Sequence, residues 1–247
     1  NMGSPVRLFK KMICIVVLSL TPVISEAGDV SIVHDDPHYN KIGFFDIHIC
    51  NWPARPEFFK VLFSTTQYEN VESMKVFTSD DTLLVKLDKR KFRTLKRKSK
   101  PDKRVFMLEV DVPKKAPSGW YYIKVNMKDG KTYQAKDYVI ISIIETAQNL
   151  KPTDEDEEIQ LPVTLKWSPV LGAQYYQAFV RDVWTGELIY KSKLLSTAET
   201  KIPEGLLEAG GHYEWVVHSR DTNEHALLGD FHMGSLSKKS YFTVADE

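Results

Sequence analysis

The stretch GWYYIKVNMKDGKTYQAKDYVIISII, residues 119–144, decides the fold class. It contains two runs rich in β-branched and aromatic residues, 120–127 and 132–144, separated by a short turn sequence that includes Asp129-Gly130. Asp-Gly between two such runs is a strong signal for a β-hairpin, because a type I′ turn needs positive φ at both central residues. The sequence therefore predicts two adjacent antiparallel strands here.

The same alternation of apolar and polar positions recurs across residues 30–145, for example over 45–50 and 106–112. Almost nothing in this region follows a helical period. Alternation with a period of two is typical of strands that bury one face. We expect a β-sandwich of roughly seven strands in this half of the chain.

The first 27 residues have the features of an export signal. Arg7, Lys10 and Lys11 precede the apolar run 12–20, and small residues lie just before Gly28. A membrane anchor is the alternative, but the run 12–24 is shorter than the roughly 20 apolar residues that span a bilayer. The sequence predicts a signal peptide at 1–27 and an exported protein, periplasmic or extracellular, with no transmembrane segment in the mature chain.

The number of cysteines limits the disulfide and thiol chemistry available to the mature chain. Cys14 lies in the predicted signal peptide, so Cys50 is expected to be the single mature thiol and no intramolecular disulfide can form. We interpret Cys50 as a small buried residue at the end of a strand and not as a nucleophile.

The chain divides at an acidic segment. Residues 148–160 contain Pro152 and five consecutive acidic residues, 154–158, which predicts a linker between a domain at 28–147 and a domain at 161–247. Residues 28–147 carry 21 Lys and Arg against 16 Asp and Glu, a net charge of +5. Residues 148–247 carry 9 against 16, a net charge of −7. The two halves could therefore attract one another.

The second half carries two motifs at a fixed separation. One is LKWSP at 165–169, with Tyr175-Tyr176 after it, and the other is Leu207 six residues before Tyr213. Over about 161–244 the chain thereby resembles a fibronectin type III module. The resemblance implies a buried Trp167 and a tyrosine corner at Tyr213. Ala209 and Gly211 depart from the family pattern.

The first half loosely resembles bacterial immunoglobulin-like domains, in which a Pro-Ser-Gly turn, here 117–119, leads into an aromatic strand. The fold class expected is all-β: two tandem antiparallel β-sandwiches, immunoglobulin-like and fibronectin type III-like, after a cleaved signal peptide.

No motif for catalysis or cofactor binding is present in the sequence, so we expect a protein that is not an enzyme and needs no cofactor. The segment HDDPH at 34–38 could hold a divalent metal ion, but we interpret it as a solvated turn. The oxygens of Asp221, Asn223, Glu224 and Asp230 could ligate calcium, although their spacing does not follow an EF-hand. His225 and His232 are expected on the surface.

The segment from Lys86 to Arg104 holds eleven Lys and Arg residues and only two Asp residues. Such a density attracts polyanions, although a solvated edge hairpin would show the same composition. A third possibility is neutralisation by the acidic linker. Nucleic acid is not expected as a partner of an exported protein. The candidate polyanion-binding residues are Lys89, Arg90, Lys91, Arg93, Lys96, Arg97 and Lys98.

Tryptophans outside the family motifs offer a second candidate site. Trp184 precedes the turn residues Thr185-Gly186 and could be a platform for a sugar ring, while a partly buried anchor is the alternative. The function expected is a non-enzymatic extracytoplasmic binding or structural protein that presents two β-sandwich modules to a protein or polysaccharide of the cell envelope. The alternative function is a carbohydrate-binding accessory module.

Overall fold

The computed structural model describes residues 36–222 and 231–246. The predicted signal peptide with Cys14, the residues His34 and Asp35, and the residues Asn223, Glu224, His225 and Asp230 lie outside this range, so the predictions made for them stay predictions. Within it, the chain folds into strands and one 3₁₀ turn at Tyr68–Asn70. None of the described residues belongs to a helix long and apolar enough to cross a membrane.

The strands follow the predicted apolar alternation. Those of the first half are β1 (Gly43–Asn51), β2 (Phe58–Thr65), β3 (Val71–Phe77), β4 (Leu83–Lys86), β5 (Phe92–Arg97), β6 (Lys100–Asp111), β7 (Gly119–Met127) and β8 (Thr132–Val139). Those of the second half are β9 (Thr164–Lys166), β10 (Tyr175–Asp182), β11 (Leu188–Lys191), β12 (Glu199–Lys201), β13 (His212–Arg220), β14 (Met233–Leu236) and β15 (Ser240–Thr243). The prediction of an all-β chain is confirmed.

One sheet runs through both halves of the described chain. Its strand order is β11-β10-β13-β14-β1-β2-β6-β5, and β15 pairs with β13 beside β14. We call this the shared sheet. The two halves join where β14 pairs in parallel with β1, with Ile49 opposite Met233 and Cys50 opposite Gly234. His232 O also accepts a hydrogen bond from Ile49 N at 3.0 Å.

Two smaller sheets cover the shared sheet and complete two β-sandwiches. The sheet β4-β3-β7-β8, here the small sheet, packs on the first half, and the pair β9-β12 packs on the second. The first core contains Phe45 and Ile47 of β1 against Tyr121 and Ile123 of β7. Met233 of β14 contacts the first core, and the pairing of Ser235 with Ser219 places Val217 of the second core on the same face as Met233. The two cores therefore lie on the same face of the shared sheet.

The second core has the features that the fibronectin type III resemblance implies. Trp167 and Tyr213 are buried. The hydroxyl of Tyr213 accepts a hydrogen bond from Glu208 N at 2.9 Å, which is the geometry of a tyrosine corner. A Cβ at Gly211 would lie 2.5 Å from this hydroxyl, so the family departure at Gly211 leaves room for the tyrosine.

The predicted hairpin at Asp129-Gly130 is present as β7 and β8, but the turn differs from the type I′ turn. Gly130 has φ of +85°, and Asp129 is not among the residues with positive φ. The hydrogen bond from Met127 N to Lys131 O closes a three-residue loop in which glycine takes the left-handed position. Lys128 supplies the additional loop residue.

Strand β1 is buried on both faces, whereas we expected one buried face. Phe45, Ile47 and Ile49 pack in the first core, and the alternate residues Asp46 and His48 are also buried. On the face opposite the first core, the ring of Phe231 packs on His48 at 3.9 Å, and His48 Nδ1 lies 2.9 Å from Asp46 Oδ2.

The segment 36–38 is not the solvated turn that we expected. Asp36 and His38 are buried, and the two ring nitrogens of His38 lie 2.9 Å from Asp36 Oδ1 and 2.9 Å from Asp137 Oδ1. The other oxygen of Asp137 accepts a hydrogen bond from Ile47 N at 2.9 Å. These contacts fasten the start of the described chain to β8 and β1.

Residues 148–160 pack against the second core. Leu150 and Pro152 are buried, and Pro152 O accepts hydrogen bonds from Trp215 Nε1 and Ser240 Oγ. Ile159 forms a bridge with Val244. The acidic side chains therefore project from a packed segment, and the domain boundary assigned to it stays a prediction.

Candidate functional site

A cleft of about 520 Å³ opens on the face of the shared sheet opposite the two cores. It crosses the junction of the two halves, because its lining comes from β1 and β2 on one side and from β10, β13 and β14 on the other. Residues at alternate positions line it, as strand geometry requires. On β13 these positions are Glu214, Val216, His218 and Arg220.

Phe231 lies at the centre of a group of aromatic rings in this junction cleft. Its ring lies 3.9 Å from the ring of His48 and 5.4 Å from the ring of His218, centroid to centroid. A Cβ at Gly234 would lie 2.6 Å from Cε2 of Phe231, so glycine at this position of β14 allows the phenyl ring to pack on the strand. The aromatic centre thus joins residues of both halves.

Arg220 is the buried cation of the cleft. The residue is 8% exposed, its Nη2 donates to Gln177 Oε1 at 3.0 Å, and its Cζ lies 5.4 Å from the ring centroid of Phe231. Its Nε is buried and has no hydrogen-bond partner in the part of the chain that the structure describes. Burial lowers the pKa of the guanidinium. A guanidinium is normally paired when it is buried.

The carboxylates near Arg220 already have other partners. Glu214 accepts two hydrogen bonds from Lys239 Nζ at 2.9 Å. Asp221 accepts from His232 N and Met233 N, and its Oδ2 lies 3.0 Å from His232 Nδ1. Among the residues described, no carboxylate forms an ion pair with Arg220.

The histidines of the cleft differ in their surroundings. Nδ1 of His48 lies 2.9 Å from Asp46 Oδ2. Among the described residues, no carboxylate contacts the ring of His218, and burial together with the charges of Arg220, His48 and Lys60 lowers its pKa to about 3. His218 is therefore neutral at physiological pH. Cys50 also lines the cleft as a buried free thiol, so it packs outside both cores.

The candidate polyanion residues lie on an exposed hairpin, β5 and β6, at the end of the shared sheet. Lys89, Arg90 and Lys91 immediately precede it. Arg104 packs over the rings of Tyr68 and Phe92 at 4.2 and 4.0 Å. Burial lowers the pKa of Lys103, and the charges of the neighbouring Arg97 and Lys100 lower it further.

The acidic segment 154–158 does not neutralise this basic hairpin. Within the described ranges, the ion pairs of the basic segment join Lys89 to Glu72, Arg90 to Asp88 and Arg104 to Glu69. Asp156 instead pairs with Lys151 at 3.1 Å. Packing of 148–160 on the second core keeps the acidic side chains there.

Trp184 lies at the tip of the turn between β10 and β11 and is 82% exposed, so it is not the partly buried anchor that we considered. Asp182 Oδ1 accepts hydrogen bonds from Trp184 N and Thr185 N at 2.8 and 2.7 Å and fixes the turn. The Trp184 ring lies 6.4 Å from that of His212. The indole is presented on a rigid support.

Sequence reasoning missed the junction cleft and a second aromatic surface. On the small sheet, Trp120 and Tyr138 form an exposed edge-to-face pair at 5.3 Å, and Phe77 stacks on Tyr122 at 5.1 Å. The alternation in β7 indicates that Trp120 and Tyr122 point outward. Which rings of β8 and β3 they contact depends on the strand register. The cleft had no such signal, because β14 follows β1 by 182 residues in the chain.

Among the described residues, no three His, Cys, Asp or Glu side chains are arranged to hold a metal ion. His232, expected on the surface, is instead mostly buried, with its side chain 18% exposed beside Asp221.

Comparisons with known proteins do not place the chain in a family. No protein-family model matches it, and no curated protein matches it. Among solved structures it is similar to the one described as "Crystal structure of Dpr11 IG1 bound to DIP-gamma IG+IG2", with 11% sequence identity and a TM-score of 0.24 over 83% of this chain and 98% of that chain. A likeness at this TM-score does not establish a shared topology, so the fold class rests on the sheets themselves.

Proposed function

We propose that this protein is a non-enzymatic, extracytoplasmic binding protein that presents two β-sandwich modules and binds a partner in the junction cleft. One observation carries the proposal: the cleft combines an apolar aromatic centre with a buried guanidinium that lacks an ion-pair partner among the described residues. Concave sites that are mostly apolar and hold a few convergent polar groups are the usual form of binding pockets.

The finer parts of the proposal rest on the sequence. The signal peptide at 1–27 favours export to the periplasm or the extracellular space, and a protein or polysaccharide of the cell envelope as the partner. Assignment of 161–247 to the fibronectin type III family is supported by the buried Trp167 and the corner at Tyr213. Proteins of this architecture commonly act as interaction modules, which is an argument from analogy.

Site-directed photo-crosslinking tests whether the cleft binds a partner. A photoreactive amino acid replaces Val216, which lines the cleft, or Gln134 on the outer face of the small sheet as the matched control. Peptides selected from a random library on the wild-type protein are then added. We expect crosslinks from position 216 and few from position 134. Equal yields from the two positions, or no selected peptide that crosslinks at 216, would contradict the proposal.

Carbohydrate binding is the second candidate function, and the exposed indole of Trp184 favours it. Sugar rings stack on flat aromatic faces. A glycan array tests it with Trp184→Ala and, as the matched control, Trp120→Ala, which removes the other exposed indole. We expect any array signal from a Trp184 platform to disappear in Trp184→Ala and to persist in Trp120→Ala. An array with no signal for the wild type would exclude this function.

A further inference from the structure

We propose that the junction cleft binds a ligand through a carboxylate that pairs with Arg220, while an apolar or aromatic body packs beside Phe231. The inference rests on the proposed function and deepens it, because it names the chemistry of the ligand. It assigns Arg220 as the residue that selects for the anion.

Arg220 has the hydrogen-bonding capacity for an anion. A guanidinium carries five N–H donors and no acceptor, and its planar fork matches a carboxylate. Of its three nitrogens, only Nη2 has a hydrogen-bond partner in the described part of the chain, the Oε1 atom of Gln177. The neutral amide of Gln177 and the face of Phe231 solvate the cation without neutralising it.

The charges around the cleft favour an anion over a cation. Four basic side chains line it, those of Lys60, Arg181, Arg220 and Lys239, and the one acidic side chain in its described lining is Glu214. Glu214 is occupied by Lys239. A carboxylate, the anion that polypeptides carry, would form a charge-assisted hydrogen-bonded pair with Arg220 in this partly buried cleft.

The rest of the cleft is suited to an apolar body of small size. Phe179, Trp52, Phe231 and Leu236 line it, and its volume of about 520 Å³ lies within the usual range of small-molecule pockets. Trp52 Nε1 is buried and has no hydrogen-bond partner in the described ranges, which leaves a second donor at the edge of the cleft.

Such a ligand could come from two sources, a free aromatic acid or the C-terminal residue of a polypeptide, and both present the same carboxylate. The probes are therefore 3-phenylpropanoate with its primary amide, and a tetrapeptide ending in Phe with a free or an amidated C-terminus. Binding to the full mature chain is measured by titration calorimetry or ligand-observed NMR.

We expect each free acid to bind at least about tenfold more tightly than its amide, because the amide cannot pair with the guanidinium. Tighter binding of the peptide acid than of the small acid would identify a chain terminus as the source, and the reverse order would identify a free acid. Equal binding of acid and amide, or no binding of any probe at about 1 mM by the folded wild type, would overturn the inference.

Two variants locate the effect. Arg220→Gln should bring the affinity of the acid down to that of the amide, and Arg93→Gln on the basic hairpin should leave it unchanged. Because Arg220→Gln alters a buried side chain, Arg220→Lys serves as a second variant that keeps the charge and loses the fork, and we expect it to weaken the acid by several-fold. An unaltered acid affinity in a folded Arg220 variant would overturn the inference.

The inference and the proposed function fail in different ways. Library peptides that crosslink at position 216 regardless of amidation would leave the binding function standing and remove the carboxylate. Loss of all crosslinks at 216 would remove both.

Discussion

Asp137 shows how a polar residue can hold the interior of an all-β domain together. It occupies an inward position of β8 and is fully buried, where it accepts from Ile47 N and contacts the ring of His38. It thereby links β8, β1 and the segment before β1. A buried carboxylate stabilises the fold through the hydrogen bonds it accepts, and loss of an acceptor oxygen leaves a buried donor without a partner.

We expect Asp137→Asn to lower the free energy of unfolding by about 1–3 kcal/mol, because an amide N–H₂ replaces one of two acceptor oxygens and a buried donor loses its partner. Urea unfolding followed by tryptophan fluorescence measures this change. Asp111→Asn is the matched control, because that side chain is 80% exposed and its contact with Arg55 is 3.6 Å long. The control should lose less than about 1 kcal/mol. Similar losses in the two variants would contradict the role of Asp137.

His218 makes stability depend on pH. Its pKa in the folded protein is about 3, below the value of about 6.5 in an unfolded chain, because burial and the charges of Arg220, His48 and Lys60 disfavour the imidazolium. Below pH 6.5 the unfolded state takes up a proton that the folded state does not. The contribution of His218 is therefore present above pH 6.5 and is lost, at up to about 1.4 kcal/mol per pH unit, as the pH falls towards 3.

Unfolding free energies measured from pH 7 to pH 4 test this linkage. We expect the curve of His218→Gln to fall less steeply than that of the wild type, because the variant cannot take up this proton. His212→Gln is the control, since His212 lies on the same strand but outside the cleft and contacts Thr243. Parallel curves for the wild type and His218→Gln would refute the prediction.

At the scale of elements, the basic hairpin β5–β6 lies where the sequence predicted it. Its cations were evident from composition, and its position at the end of the shared sheet explains why they stay exposed. Arg97 donates from Nε and Nη2 to Pro101 O, so it holds the turn in addition to carrying charge. Among the described residues, no ion pair involves Lys96 or Lys98, so these two lysines are available to a polyanion.

We expect the hairpin to bind heparin, used as a polyanion probe, and to lose about tenfold in affinity when three exposed lysines are changed together, since each exposed pair contributes under about 1 kcal/mol. The test variant changes Lys91, Lys96 and Lys98 to Ser and retains Arg97 and its turn. Binding should weaken as ionic strength rises. The measurement is elution from immobilised heparin together with a titration in solution.

A matched variant of the second half controls for net charge. It changes Lys191, Lys193 and Lys201 to Ser. Equal losses in the two variants would show that heparin senses overall charge, and an unchanged affinity in the hairpin variant would show that the segment is a solvated edge.

At the scale of the whole molecule, the shared sheet couples two sandwiches that sequence patterns describe separately. The parallel pairing of β1 with β14 gives each half a strand neighbour from the other. A side chain also crosses the junction, because Ser235 Oγ donates to Glu145 O at 2.8 Å. Separation of the halves would expose an edge of each sheet.

We therefore expect fragment 160–247 to be markedly less stable than fragment 145–247, and both to be less stable than the mature chain. The shorter fragment lacks Ala147 and Leu150 from the second core and the carbonyl of Pro152 that accepts from Trp215. Thermal melts by circular dichroism compare them. Equal stability of the two fragments would show that 148–160 is a passive linker, as its composition suggests.

The sequence by itself determined the strands and the hairpin after Met127, because these depend on the residue period and on neighbours close in the chain. Burial of Trp167 and Tyr213 was implied by the resemblance to a fibronectin type III module, and both residues are buried. Three features depend on the tertiary structure alone: the formation of the junction cleft, the burial of His38 against Asp137, and the burial of β1 on both of its faces. Each of these needs partners about a hundred or more residues apart. Sheet register and strand order set such contacts, and no local pattern encodes either of them.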